Sequence, residues 1–226
     1  MRQTLSICLI RCGVPRWSVP GAHVGRQLVE GLAPAPLAIF GRVTGGEHHE
    51  LIGDDQLGAP TPCSEATVAD LLDHMDGLCQ AFTAAAAKDP TQGAQAPVAD
   101  GSRLGPDWRA RIPGRLARLA AAWQAESAWT GMTRAGGVDM PGEVAARVAT
   151  NEVLVHGWDL AVATRHDYTA DPATVDAALE FVEPTASQNP AGVPGLFGPP
   201  VAAPAGSSSL DRLVALTGRN PSWRPG

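Results

Sequence analysis

No run in the 226 residues approaches the roughly 20 consecutive apolar positions that a bilayer-spanning helix needs. No membrane association is therefore expected. A secretory signal is missing too, since its apolar core takes about 7–15 residues. The only early apolar run, Leu5 to Ile10, is broken by Ser6 and closed by Arg11. A cytoplasmic location follows as the expectation. Basic charge is in deficit: 17 Lys and Arg stand against 23 Asp and Glu, a formal net charge of −6. Nucleic-acid binders usually carry a basic face or stripe. The one cluster here, Arg103, Arg109, Arg111, Arg115 and Arg118, has only Trp108 beside it as a stacking platform. No nucleic-acid partner is expected. Paired cysteines are also lacking, because Cys8, Cys12, Cys63 and Cys79 form neither a CxxC pair nor a zinc-ribbon spacing. Cys63 and Cys79 read as small hydrophobes of a reduced protein. Internal repeats are absent and apolar/polar alternation is almost so, which argues against sheet architectures.

What is present is helical. Residues 1–27 mix Pro15, Pro20, Gly13, Gly21 and Gly25 without periodicity and read as a poorly ordered leader, leaving 28–226 as the domain. A first, weak helix is expected over 35–52. In "TPCSEATVADLLDHMDGLCQAF" the pattern is clear: Thr67 caps, Asp70 stands at the third helical position, and Val68, Leu71, Leu72, Met75, Leu78, Cys79 and Phe82 recur at helical spacing. This second helix ends near Ala87, and 89–106 reads as a loop. A third helix runs to Trp129 from Asp107 or, in its regular part, from Pro113, because proline prefers a first turn. "RAGGVDMPGEV" reads as a loop. A fourth helix covers "GEVAARVATNEVLVHGWDLAVAT", and a fifth is capped by Asp171 and stopped by Pro184. The Pro/Gly-rich stretch 185–209 wraps the body before a short last helix in "SLDRLVALTGRNPSW". The expected class is all-α: an antiparallel four-helix bundle with additional C-terminal helices and a Pro/Gly-rich wrap.

The fourth helix carries the chemistry. Val144, Val148, Glu152, His156 and Asp159 follow at steps of four, four, four and three and share one face. A carboxylate and an imidazole in a buried line need a partner. From spacing alone that partner is a metal ion, a hydrogen bond within the core, or solvent at the surface. An ion would need another ligand from a different element. His74, between Leu71 and Leu78 at the edge of the second helix's apolar stripe, is best placed. His48 and His49 are adjacent and point to different faces; His166 follows a helix end, and His23 lies in the leader. Gly157, a poor interior helix residue, implies a close approach beside His156.

"TPCSEATVADLLDHMDG" and "PGEVAARVATNEVLVHGWDLAVAT" resemble the mycothiol-dependent maleylpyruvate isomerase family, within the DinB-like metal-binding four-helix bundles. "SSSLDRLVALTGRNPSW" is similar to the C-terminal signature of a metal-binding subgroup. The resemblance covers roughly 28–226 and departs at Ala66, where the family usually has Trp. It implies that His74, Glu152 and His156 bind a divalent metal: zinc in the first place, with iron or nickel as alternatives. It also implies a mycothiol-like low-molecular-weight thiol acting on a small electrophilic substrate, by thiol transfer or cis/trans isomerisation. Asp159, one turn beyond His156, is the candidate catalytic residue, as an acceptor orienting the imidazole, the alternative being a solvent-facing or backbone-capping carboxylate. Arg109 and Arg115 are weaker candidates for a substrate carboxylate. Two other functions fit the same triad: a non-haem iron oxygenase and a non-catalytic metal-binding or ligand-sensing bundle. No spare apolar face is evident, so a monomer or weak homodimer is expected.

Overall fold

The computed structural model describes residues 52–226 apart from 90 and 92–95, together with the backbone of 43–44 and 47–48. At those two short segments the expected first helix is wrong. β1 (Val43–Thr44) and β2 (Glu47–His48) pair antiparallel, Val43 opposite His48 and Thr44 opposite Glu47. Two β-branched residues followed by Gly-Gly are hairpin chemistry, which outweighs a weak helical period. The rest of that span to residue 51 lies outside the described residues, as does the leader 1–27.

Helix α1 (Val68–Ala86) forms where the spacing predicts. The Thr67 hydroxyl accepts from the Asp70 N–H, and the Asp70 carboxylate accepts from the Thr67 N–H at 2.9 Å, closing the capping box. Leu71, Leu72, Met75, Leu78 and Phe82 are wholly buried. Each such side chain contributes about 1.5–3 kcal/mol of burial. α2 (Trp108–Ala122) packs along α1. Asp76 of α1 locks that contact, accepting from Arg111 Nε at 3.0 Å and pairing with Arg115 at 2.6 Å.

Helix α2 begins at Trp108, five residues before Pro113, so the proline lies inside the helix rather than at its start. It removes one backbone donor, the one that would reach Arg109. Buried Trp108 and Ile112 anchor that first turn and outweigh the lost bond. The span expected to continue to Trp129 breaks at Trp123, and a separate turn, α3 (Glu126–Trp129), follows.

The segment expected as a loop at 134–144 is half hairpin. β3 (Met132–Ala135) pairs with β4 (Val138–Pro141) through Gly136-Gly137, both with positive φ, as a two-residue connection requires. Only Thr133 and Ala135 of β3 face inward, and neither is a large apolar residue, so the alternation is faint in the sequence. The Thr133 hydroxyl donates to the Ala85 carbonyl at 2.6 Å and ties the hairpin to the end of α1.

Helix α4 (Gly142–Ala163) runs through the middle of the molecule, against α1, α3, α5, β3 and β4. From Val148 to Ala161 every residue is buried, so it is enclosed on all sides rather than along one stripe. α5 (Pro172–Gln188) packs on α4, with Asp171 accepting from the Thr174 N–H at 2.9 Å as its cap. Pro184 does not stop it. The helix continues four residues past the proline, stitched by Thr185 Oγ1 donating to the Phe181 carbonyl and Asn189 Nδ2 to that of Thr185. The wrap then returns over α5, with Phe197 edge-on to Phe181 at 6.1 Å.

The last helix, α6 (Ser209–Leu216), starts on a Ser208/Asp211 capping box. It ends in a complete Schellman turn: Arg219 N–H reaches the Val214 carbonyl at 2.9 Å and Gly218 N–H that of Ala215 at 3.0 Å. Gly218 has φ +89°, and a Cβ there would lie 2.8 Å from Gly198 Cα. The described part is mostly helical, with six α-helices and two small hairpins. None of its helices is long and apolar enough to cross a membrane.

Candidate metal centre

Three predicted side chains meet between α1 and α4. His74, Glu152 and His156 each present one donor atom, and these atoms all lie within 4.8 Å of one another. Glu152 Oε2 is 3.3 Å from His156 Nε2 and 3.8 Å from His74 Nε2. The two imidazoles stand nearly perpendicular, 5.1 Å between centroids. One turn of α4 sets Glu152 and His156 side by side, and the α1–α4 contact brings in His74. All three are 3–5% exposed.

The electrostatics of the cluster follow from this burial. Desolvation lowers the pKa of His74 and outweighs Glu152's contribution, so that ring favours its neutral form. Burial alone would raise Glu152, but hydrogen bonds and charge from His156 and His74 prevail and bring it to about 2. His156 is raised: burial opposes its protonation, while Asp159 and Glu152 together overcome that cost. Among the described residues His74 Nδ1 makes no hydrogen bond of ordinary geometry, although the Pro97 carbonyl lies close enough to favour its protonated form.

Asp159 is fully buried, and its Oδ2 sits 3.0 Å from His156 Nδ1. Behind it is a residue not singled out in the sequence. Arg219 donates from Nη2 to Asp159 Oδ2 at 3.1 Å and from Nε to Oδ1 at 3.4 Å. The sequence signal was coarse: the arginine follows Gly within "SSSLDRLVALTGRNPSW", a stretch similar to a metal-binding subgroup's C-terminal signature, but nothing there assigns it a role at the centre. Burial would raise the Asp159 carboxyl, but the Arg219 charge and the His156 hydrogen bond hold it below the ordinary range. Cys63 also borders this group. Burial pushes its thiol up to about 11, with Arg219 opposing.

The other predicted candidates are not part of the centre. Arg109 donates to the Ile52 carbonyl and to Asp54, each at 2.9 Å, and its guanidinium lies over the Trp108 ring. Arg115 is held by Asp76. Four of the five clustered arginines are thus in ion pairs, Arg103 with Asp73 being the fourth. His166 Nδ1 lies 2.9 Å from the Thr164 hydroxyl. Trp158 is buried. A groove of about 390 Å³ lined by Cys79, Thr83, Arg115 and Arg118 includes none of the three clustered residues.

The close approach expected beside Gly157 is made by Tyr168. A Cβ on Gly157 would lie 2.7 Å from the Tyr168 hydroxyl oxygen, which is itself buried without a hydrogen-bond partner among the described residues. Gly157→Ala should therefore destabilise, despite alanine's roughly 1 kcal/mol better helix propensity. Tyr168→Phe should be neutral or stabilising, since it removes an unsatisfied hydroxyl. Combined, the two should cost less than their sum in thermal melts; strict additivity would show that the hydroxyl is not the obstacle.

Comparison with known proteins decides the family. The model of the mycothiol maleylpyruvate isomerase N-terminal domain matches residues 45–161, half of the chain. The chain belongs to the mycothiol maleylpyruvate isomerase N-terminal domain family. The match contains His74, Glu152, His156 and Asp159 and stops before Arg219. Two uncharacterized proteins, one from each of two strains of Mycobacterium tuberculosis, are 30% identical to it over 168 residues. That alignment covers 73% of this chain and 86% of theirs. No solved structure is a significant match.

Proposed function

We propose that this member of the mycothiol maleylpyruvate isomerase N-terminal domain family is a metal-dependent enzyme. It uses a low-molecular-weight, mycothiol-like thiol for thiol transfer to, or isomerisation of, a small electrophile. The observation that carries this is the convergence of two imidazoles and a carboxylate from facing helices on one point. The fit is good in its own terms. Tetrahedral ligands at about 2 Å from a shared ion lie roughly 3.3 Å apart; Glu152 stands 3.3 and 3.8 Å from the two imidazole nitrogens, and all three donor atoms lie within 4.8 Å of one another. His74, Glu152 and His156 would hold the ion, and a two-nitrogen, one-oxygen set suits zinc, with iron or nickel also accommodated. When bound, such an ion supplies a Lewis-acid centre that brings the pKa of a nearby thiol toward neutrality.

The protein's own part is to orient and to exclude water. Asp159, accepting the His156 Nδ1–H, presents Nε2 toward Glu152 and fixes the ring. It is a positioning residue by this account, acting only through the His156 ring. The DinB-like bundle, and residues 28–226 as its single domain, belong to the same proposal, with α1 and α4 as the ligand-bearing helices.

One observation favours a second function. Structural metal sites are closed, whereas catalytic ones keep an open position, and the three side chains are almost fully buried. A non-catalytic metal-bound bundle would look like this. Thermal melts of the chelator-treated protein with zinc, and then with mycothiol, separate the two. Under the enzymatic proposal zinc raises Tm, and the thiol at about 100 times its Kd adds about 2.7 kcal/mol, or roughly 5–10 °C. A zinc-dependent rise with no response to the thiol and no thiol-dependent turnover would favour the structural metal. Stoichiometric iron with oxygen uptake in the purified protein would point to an oxygenase.

A further inference from the structure

We propose that Arg219 is a positioning residue of the candidate metal centre, so that a C-terminal segment outside the family match completes a site whose ligands all lie within it. The proposal rests on the metal assignment above and goes beyond it.

Three observations bear on it. First, the contact is specific. Arg219 uses Nε and Nη2 on the two oxygens of Asp159, and Asp159 Oδ2 in turn meets His156 Nδ1. A guanidinium fork on a carboxylate sets its orientation as well as its charge. With Asp159 fully buried, bulk solvent does not reach it to take over that task. Second, Arg219 has little freedom of its own. Its Nη1 donates to the Thr217 carbonyl at 2.9 Å, and its backbone is fixed by the Schellman turn and by Gly218 pressed against Gly198. Third, α6 is anchored independently of the centre, with Leu213 and Val214 buried and α5 as its neighbour. The arginine is thus delivered by a docked helix rather than recruited by the carboxylate. A histidine's outer partner fixes ring orientation and the nitrogen that faces an ion. Here that partner is itself oriented from 60 residues away.

A double-mutant cycle on the full chain tests this, using zinc affinity from competition with a chromophoric chelator and the visible spectrum of the cobalt-loaded protein. Arg219→Gln should weaken zinc binding roughly 10–100-fold and shift the cobalt bands, while Arg219→Lys, which keeps the charge but not the fork, should fall between. In an Asp159→Asn background, Arg219→Gln should have little further effect, because the path through Asp159 is already gone. That background also has no uncompensated buried carboxylate. The comparison of Asp159→Asn with the double variant therefore stands even where Arg219→Gln alone does not fold. Unchanged zinc affinity and cobalt spectrum in the arginine variants would overturn the proposal. So would an equal loss with and without Asp159. Wild-type protein that binds neither zinc nor cobalt would overturn both this and the metal assignment, whereas normal wild-type binding with indifferent variants would overturn this alone.

Discussion

Replacing His156 with alanine is expected to cost the protein its ion and, with it, any thiol-dependent turnover. Losing only the outer partner of a metal-binding histidine typically weakens affinity roughly 10–100-fold, so losing one of three ligands should cost more than 100-fold. The remaining pair, His74 and Glu152, starts 3.8 Å apart and would have to hold an ion without the residue that shares Glu152's helix face. The substitution also strips Asp159 and Glu152 of the group between them, so part of any loss could come from altered folding. His156→Gln, which keeps a hydrogen-bonding side chain there, serves as the companion variant. Both should show a metal-free melting profile near that of chelator-treated wild type. Turnover that persists in His156→Ala at saturating thiol would remove the centre from the chemistry altogether.

The largest effect on stability is expected at Trp123. It is completely buried at the end of α2, with Trp129 edge-on at 5.7 Å. Its carbonyl accepts the Trp129 indole N–H at 2.7 Å, which fixes α3 against it. Trp123→Ala should destabilise by about 3–5 kcal/mol, a fall in Tm of roughly 6–20 °C. That is a large share of a domain's typical total of about 5–15 kcal/mol. Its own indole N–H finds no partner among the described residues, so Trp123→Phe forfeits only packing and should cost less than half as much. Equilibrium urea unfolding measures both. A loss below about 1 kcal/mol for the alanine variant would mean that the corner between α2 and α3 closes over the gap.

Legibility of the sequence varied with the range of the interaction. α1 was readable because everything that defines it is local: a capping box over four residues and apolar side chains at the helical period. The centre was readable because two of its members are one turn apart and the third sits on the clearest helix. Pro113 and Pro184 misled because their cost, a lost backbone bond and a ring–carbonyl clash of about 3 kcal/mol each, is met by burial of Trp108 and Ile112 in one case and partly by the side-chain bonds of Thr185 and Asn189 in the other. The β3–β4 hairpin was hidden because its inward residues are Thr133 and Ala135, whose burial depends on α1 and not on their own hydrophobicity. Arg219 was hidden most completely. Its partner is 60 residues upstream, and although its flanking residues resemble a metal-binding subgroup's C-terminal signature, they do not tell which side chain the arginine meets.

His74 and Glu152 lie 78 positions apart, the difference of their residue numbers. Seen as polymer physics, an ion gripping both would act as a reversible cross-link, and one retained on unfolding would close a large ring in the unfolded chain as well. A permanent link across a ring of that size reduces unfolded-state entropy by an equivalent of about 4.5 kcal/mol. An ion that stays bound only in the folded chain contributes its binding energy instead. The slope of Tm against zinc concentration tells which case holds. A plateau at saturating metal marks retention by the unfolded chain, and a continuing logarithmic rise marks release.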